Sequence, residues 1–412
     1  MKATLRRGTL NLMPPLFTCR SNDLVACNIY VSAGRKKHAE TLLSVLNSSQ
    51  ELCRRLRKEN EHESNQNNQI AVVHAYADGP YDRSSFHLAG CADYVAIVAS
   101  HVATSAIDAL QATLLGQNQN AINASNSQHP LVGIVDHISI MPLSTLPGTS
   151  ENCQKGFGDT DNSHDDSHEN EYIPPDSHGI AALSVAHNLR ERGVTCYPYG
   201  TADKNHMPLA VVRKENTSFF KSGGLSNTPN FTNIDSNRKI QSDTNEGSEH
   251  LGICTVGSPS NFVENFNIRL TDKISRKQAM KLTKRVRERD GGLIGVEALT
   301  LPYSENRYEV ACNLLRPNLG SADCIMEKVH EWVREQPQII ETGDSESAQV
   351  ENNGSIVQTQ DHDRTNYDYY VDEAYRVGTT VDQCMDVISV SDEEGNAVHD
   401  SAVLDRFRGF LQ

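Results

Sequence analysis

The sequence predicts an α+β protein made of two duplicated ferredoxin-like (βαββαβ) subdomains with a cleft between them, interrupted by long inserts expected to be disordered. Three observations carry this prediction. Apolar residues recur with period 2 in short segments and with period near 3.6 in longer ones, and the two kinds alternate as β-α-β-β-α twice along the chain. Asn/Ser/Asp-rich tracts at 59–69, 117–128, 147–172, 214–250 and 336–366 fall between these segments and lack the apolar content to pack. The length, 412 residues, suits two or three domains rather than one. Two similar blocks in succession leave a cleft between them, a common place for a ligand.

In the first block, Val25–Val31 alternates and reads as a strand, and Ala39, Leu42, Leu43 and Leu46 follow at helical spacing. Ile70–Tyr76 is a second strand. Asp78-Gly79-Pro80 turns the chain, since glycine tolerates positive φ and proline presets its own, and Ser84–Leu88 is the third strand. Val95, Val98, Ala99, Val102 and Ala106 mark a helix too long to be a strand. Val132–Ile140 is the next strand. A helix on Ala182, Val185, Ala186 and Leu189 stops at Gly193, before strand Val194–Tyr199. The second block starts near Leu251. Phe262–Leu270 is a strand, and Ser275 caps a helix with Ala279, Leu282, Thr283 and Val286 inward, ended by Gly291-Gly292. Leu293–Leu301 and Tyr308–Leu314 are strands, Ala322–Val333 is a helix with the only tryptophan, Trp332, and Val381–Ile388 forms a short last helix.

The organisation is therefore a flexible basic segment 1–24, a first subdomain 25–213, a low-complexity linker 214–250, a second subdomain 251–390 with an insert at 336–366, and a tail 391–412. Hydrophobic content is 37% and mean hydropathy −0.51, low for an enzyme of this size. The deficit lies in the inserts, and so does the charge. Residues 151–171 and 341–363 each carry a net −6, leaving about −3 of the total −15 for the rest. The acidity belongs to solvated inserts and gives no sign of nucleic-acid binding. Ten scattered cysteines with no C-x-x-C pair argue for reduced, buried thiols in an intracellular protein, and against a disulfide framework or zinc site; the expected location is cytoplasmic, with organelle targeting by the basic N-terminus as the alternative. No apolar run reaches the ~18 residues of a membrane span.

Four stretches hold candidate chemistry. His129 closes a polar segment just before the strand that begins at Val132, where a substrate would reach it, and histidine moves protons near neutral pH. Asp136 would orient that imidazole or serve as a strand-end hydrogen-bonding group, and His137 reads as a satisfied core histidine. Ser32-Ala33-Gly34-Arg35 joins a strand to a helix, either as an anion cradle of free amides with the Arg35 fork or as an ordinary turn. Asp78-Gly79-Pro80-Tyr81-Asp82-Arg83 places Arg83 to hold an anion or to close a salt-bridged hairpin. Gly257–Asn261 links into the second block, with Asn265 and Asn267 in the strand beyond. The basic run Arg276–Arg289 reads as the solvated face of its helix.

These pieces in this order resemble the formiminotransferase domain, the transferase half of formiminotransferase-cyclodeaminase and of its shorter plant and algal relatives. The matches are Ser32–Arg35, the Asp78-to-Gly90 segment with Arg83, His129-Pro130 leading to Gly133-x-x-Asp136, and Tyr197-Pro198-Tyr199-Gly200. Phe266-Asn267-Ile268 and the Glu309–Leu315 strand extend them. The resemblance covers residues 25–390 minus the inserts, and Val-Asp-His ending at His137 is closer to the plant-type relatives. It implies a homodimer that moves a formimino or formyl group from an N-substituted glutamate to tetrahydrofolate as co-substrate, with no metal. His129 would be the catalytic acid/base, assisted by Asp136. Gly34, Arg35, Asp78, Arg83, Tyr199 and Asn267 would bind the substrates. Leu131 stands where the family usually has arginine, and Ala33 where it has an acid. The alternative is an inactive relative that keeps the fold for folate binding or a structural or trafficking role.

Overall fold

The structure, a computed structural model, describes residues 23–59, 69–115, 132–143, 176–217, 251–304, 306–337, 366–390 and 393–412. They form two units, one reaching to Asn261 and taking in Val381–Gln412, the other Phe262–Thr380.

The first unit runs β1 (Leu24–Val31), α1 (Ala39–Glu59), β2 (Ile70–Asp78), β3 (Arg83–Cys91), α2 (Ala92–Leu115), β4 (Val135–Pro142), α3 (Ser177–Arg190), β5 (Thr195–Gly200), α4 (Leu209–Asn216) and β6 (Ile253–Ser258). Its six-stranded sheet has the order β2-β3-β1-β4-β6-β5. The four strands from β2 to β4 pair antiparallel in the ferredoxin-like order. β6 and β5 extend that sheet in parallel from β4. Period-2 patterning decides which face is covered. Cys27, Ile29 and Val31 of β1, Ile138 and Ile140 of β4, and Cys254 and Val256 of β6 enter one core with α1, α2 and α3. α2 packs against both α1 and α3. Its buried face of Val95, Val98, Ala99, Val102, Ala103 and Ala106 is small enough for close approach.

The second unit runs β7 (Glu264–Leu270), α5 (Arg276–Val286), β8 (Val296–Ser304), β9 (Arg307–Leu314), α6 (Ala322–Arg334) and β10 (Val371–Arg376). The sheet order β10-β7-β9-β8, antiparallel throughout, is the ferredoxin-like order again. Ser275 caps α5 in a capping box with Gln278, and Trp332 sits in the core beneath. The basic residues Arg276, Lys277, Lys281 and Lys284 are exposed.

Two helices then return to the first unit, α7 (Val381–Ser389) and α8 (Glu393–Phe410). α8 covers β2, the edge strand. His399 Nε2 donates to the Val72 carbonyl at 3.0 Å. Gln50 Nε2 of α1 donates to the Asp400 carbonyl at 2.8 Å. Phe407 is fully buried, its ring centroid 5.6 Å from that of Phe86. Covering the edge hides polar backbone groups that would otherwise template association.

The sequence-based boundaries shift in several places. The segment from Leu251 to Ser258 belongs to the first sheet, because β6 fills the space between β4 and β5. The second unit therefore opens at Phe262. Residues 393–410 are a packed helix rather than a tail. Leu209–Asn216 is a helix, α4, which separates β5 from the linker. β8 starts three residues later than Leu293, whose amide donates to Val286 O at 3.0 Å in the turn leaving α5. Among the described residues no helix is long and apolar enough to cross a membrane. The eight described cysteines are free, all buried except half-buried Cys324.

Phe407→Ala would empty the contact that fastens α8 to the sheet. It is expected to lower stability by about 3–5 kcal/mol, read as a shift in the urea midpoint followed by far-UV circular dichroism; an unchanged midpoint would mean that α8 is not held by its core contact.

Candidate functional site

The first sheet carries α1, α2 and α3 on one face, and the alternate positions of its strands put polar groups on the other. Asn28 and Tyr30 of β1 lie beside Ser139 and His137 of β4 and beside His87 and Ser85 of β3. A bulge breaks the alternation at one point: Tyr30 pairs with His137, while Val31 pairs with Val135. Asp136 is the extra residue, and the bulge re-aims its side chain. Its Oδ1 meets Arg83 Nη2 at 2.5 Å, and the carboxylate is fully buried. Oδ2 accepts no hydrogen bond among the described residues. The Arg83 guanidinium also lies over the Tyr30 ring, 4.8 Å from its centroid.

Arg83 is fixed in turn by the loops at the end of the sheet. Gly34 N and Arg35 N donate to Asp82 Oδ1 at 2.9 and 3.1 Å, and Arg35 Nε lies 3.5 Å from Asp82 Oδ2. A Cβ on Gly34 would stand 2.2 Å from the Arg83 carbonyl oxygen, so only glycine fits there. Ser32 Oγ donates to Gly133 O at 2.6 Å, which ties the same loop to the entry of β4. Asp78 Oδ1 accepts from Tyr81 N at 3.1 Å and closes the β2–β3 turn. The amides expected to cradle an anion at Gly34 and Arg35 are therefore occupied by Asp82. Gly34, Arg35 and Asp78 hold Arg83 in place.

Beside the ion pair stands a row of three rings. His137 stacks between Tyr30 and Tyr199, each centroid 5.6 Å away, with interplanar angles of 22° and 29°. Tyr199 reaches His137 by lying across Gly257 of β6, where a Cβ would be 2.3 Å from its ring. A hydrogen bond with Ser139 steadies the Tyr199 hydroxyl, while burial pushes its pKa up. His137 Nδ1 is 3.0 Å from Thr255 Oγ1 and 3.2 Å from Thr255 O. Burial, then the charges of Arg213 and Arg83, hold this imidazole well below the ordinary histidine range. Arg213, from α4, acts on Asp136, Tyr199 and Tyr30 as well. The arrangement offers cationic groups for an anion, an aromatic surface for a planar ring, and an imidazole.

Asn267 lies in the second unit, where its Nδ2 donates to Glu309 Oε1 at 2.8 Å. Tyr375 OH donates to the other Glu309 oxygen at 2.7 Å. Arg269 sits between the rings of Tyr303 and Tyr375, 4.1 and 4.8 Å from their centroids. Burial opposes the Arg269 charge, but Tyr375, Tyr303 and Glu309 outweigh it and hold the guanidinium protonated.

Of the residues singled out from sequence, Arg83, Asp136 and Tyr199 share one face, joined through Tyr30 and His137. His129 lies outside the described residues. Sequence reasoning missed Tyr30, Thr255 and Arg213, and took His137 for core. The signal for three of them was the polar parity of β1, β4 and β6. Arg213 had none, since Leu209–Asn216 runs into the polar linker.

Residues 24–258 match the family model described as the formiminotransferase domain, N-terminal subdomain, a span that includes every site residue above except Asn267. A "Formiminotransferase cyclodeaminase-like protein" of Arabidopsis thaliana is 24% identical over 280 residues, covering 66% of this chain and 81% of that protein. Among solved structures, a crystal structure of a ferredoxin protease in complex with Arabidopsis ferredoxin aligns with 77% of this chain at 10% identity and a TM-score of 0.15. This chain covers 34% of that one, and the overlap is too small to show a shared fold.

Removing one partner of a buried ion pair strands the other. Arg83→Met is expected to cost about 3–5 kcal/mol of stability, and Arg83→Met with Asp136→Leu to recover most of it, measured by urea unfolding of both variants. Stability should also fall on acidification. Burial holds His137 and His87 well below the ordinary value and lowers His74 to about 4. Below pH 6.5 the unfolded chain takes up protons that the folded chain refuses, so stability drops from there towards pH 4. His74→Phe should flatten that slope in unfolding curves recorded across the range; an unaltered slope would remove His74 from the account.

Proposed function

Because the chain belongs to the formiminotransferase family, we propose that it is a folate-dependent one-carbon transferase, moving a formimino or formyl group from an N-substituted glutamate to tetrahydrofolate. The observation that carries this reading is the polar face of the first sheet. Within the matched span, Arg83 and Arg213 lie with the carboxylate of Asp136 beside the rings of Tyr30, His137 and Tyr199. Guanidinium groups suit a carboxylate of glutamate or folate, and the rings suit a flat heterocycle.

His129 is the acid/base of this proposal. The folate amine forms a bond to the formimino carbon and gives up a proton. The bond from that carbon to the glutamate nitrogen then breaks, and the departing nitrogen takes a proton. The one imidazole of His129 would serve both steps. Asp136, with one oxygen unpartnered among the described residues, would orient it. A second reading is favoured by Leu131, which replaces the family's usual arginine: folate would bind and no group would move.

Purified protein incubated with tetrahydrofolate and N-formimino-glutamate should yield 5-formimino-tetrahydrofolate, and His129→Ala should lower kcat by about 10²–10⁴-fold. Calorimetric folate binding without product would select the second reading. Neither product nor binding would sink the transferase.

A further inference from the structure

The open face of the first sheet buries two histidines that differ in one respect. His87 has both ring nitrogens engaged, Nε2 with Ser85 Oγ at 2.9 Å and Nδ1 with Asn28 Oδ1 at 2.7 Å. His137 has only Nδ1 engaged, and its partners settle which nitrogen carries the proton. Thr255 O, 3.2 Å away, is a carbonyl and can only accept. Thr255 Oγ1 donates its own hydrogen to Asp136 O at 3.2 Å, so towards His137 it also accepts. Nδ1 therefore bears the hydrogen, and Nε2 presents a lone pair. No hydrogen bond to Nε2 occurs among the described residues, although His137 keeps only 8% of its surface exposed. Asp136 Oδ2 is a second buried acceptor without a donor among the described residues.

Charge and shape restrict what would meet Nε2. A cation is disfavoured, because burial and the charges of Arg213 and Arg83 already keep the imidazole neutral. A carboxylate brings no hydrogen to donate. A neutral N–H remains. Both faces of the His137 ring are covered, by Tyr30 and Tyr199 at interplanar angles of 22° and 29°, which leaves its edge for a flat group. We infer that Nε2 of His137 is the recognition acceptor for a neutral N–H on a planar aminopyrimidinone ring, the group that tetrahydrofolate carries at its pterin end. The choice of ligand rests on the transferase reading. In that reading the glutamate substrate brings carboxylates and, as a formimino compound, an amidine that is cationic at neutral pH. The pterin end of tetrahydrofolate brings neutral N–H donors on a flat ring. His137 is then a specificity residue that exchanges no proton. A ligand N–H buried here without this acceptor loses a hydrogen bond it made in water, which is how one neutral nitrogen selects a ligand.

The test uses the full chain labelled with ¹⁵N-histidine, with His137 assigned by loss of its signals in His137→Phe. The probes divide the two substrates. Anaerobic 6-methyltetrahydropterin carries the donor ring alone, p-aminobenzoyl-glutamate carries the rest of the folate, and N-formimino-glutamate is the other substrate. Long-range ¹H–¹⁵N spectra of the free protein should show Nδ1 protonated and Nε2 bare. Saturating 6-methyltetrahydropterin should move the Nε2 resonance upfield, as accepting a hydrogen bond does, and leave Nδ1 protonated. The other probes should leave Nε2 in place. His137→Phe keeps a ring between the two tyrosines. In calorimetry it should bind 6-methyltetrahydropterin about tenfold or more weakly than wild type, with p-aminobenzoyl-glutamate unaffected. A proton on Nε2 in the free protein, or an Nε2 resonance that ignores the pterin, overturns the inference. A response to either of the other probes without one to the pterin overturns it too. Formation of 5-formimino-tetrahydrofolate with an Nε2 that ignores the pterin removes the inference and keeps the transferase; a pterin-responsive Nε2 without product does the reverse.

Discussion

Arg83 and Asp136 are an arginine and an aspartate placed where the sheet excludes water, and neither charge would be tolerated there alone. Each feature of the candidate site follows from keeping them together. The bulge in β4 exists at Asp136, where an unbroken alternation would turn the carboxylate into the helix-covered core among Ile138 and Ile140. The Ser32–Arg35 loop and the Asp78–Asp82 turn spend their polar groups on one another, and the result is a rigid seat for Arg83. Once the guanidinium is seated, Tyr30 packs beneath it, His137 stacks on Tyr30, and Tyr199 closes the row across Gly257. Residues that looked like ligands in the sequence, Gly34, Arg35 and Asp78, act one step back from the site.

How much of this was legible depended on whether the signal was periodic or relational. The apolar strand runs of β1, β2, β3 and β9 and the 3.6-residue runs of α1, α2, α5 and α6 announce themselves, because each buries apolar side chains in a core. β10 does not: Val371–Arg376 is an edge strand whose alternate positions Glu373 and Tyr375 face a charged network, so it reads as polar. α8 carries Gly395, Asn396 and Gly409 and a weak apolar stripe, and its burial comes from lying along a sheet edge that the sequence does not display. The second subdomain was placed too early because β6 is short and separated from β5 by a long polar tract, although it completes the first sheet. The pairing of Arg83 with Asp136 spans 53 positions, and no local pattern encodes a contact of that reach.

Both sheets follow the same plan, with helices and apolar side chains on one face and polar residues on the other, yet the two polar faces differ in their electrostatics. In the second unit Glu309 is fully buried and clasped by Asn267 and Tyr375, and Arg269 is matched by Glu309 and Glu373. Both oxygens of Glu309 are engaged there, and the Arg269 charge is met by two carboxylates. Such a network holds a sheet rigid and leaves little with which to recognise an anion.

In the first unit two acceptors are left over. Arg83 and Arg213 act on the same aromatic row, Asp136 acts on both, and one oxygen of Asp136 and one nitrogen of His137 have no hydrogen bond among the described residues. Folding alone does not favour such an arrangement, since buried acceptors without donors cost stability. A ligand that brings a donor would satisfy them, which folding by itself does not. These open acceptors separate the first sheet's polar face from the second's, where both oxygens of Glu309 are engaged. The histidine that resembled core in the sequence is thus anchored at one nitrogen only, Nδ1 on Thr255.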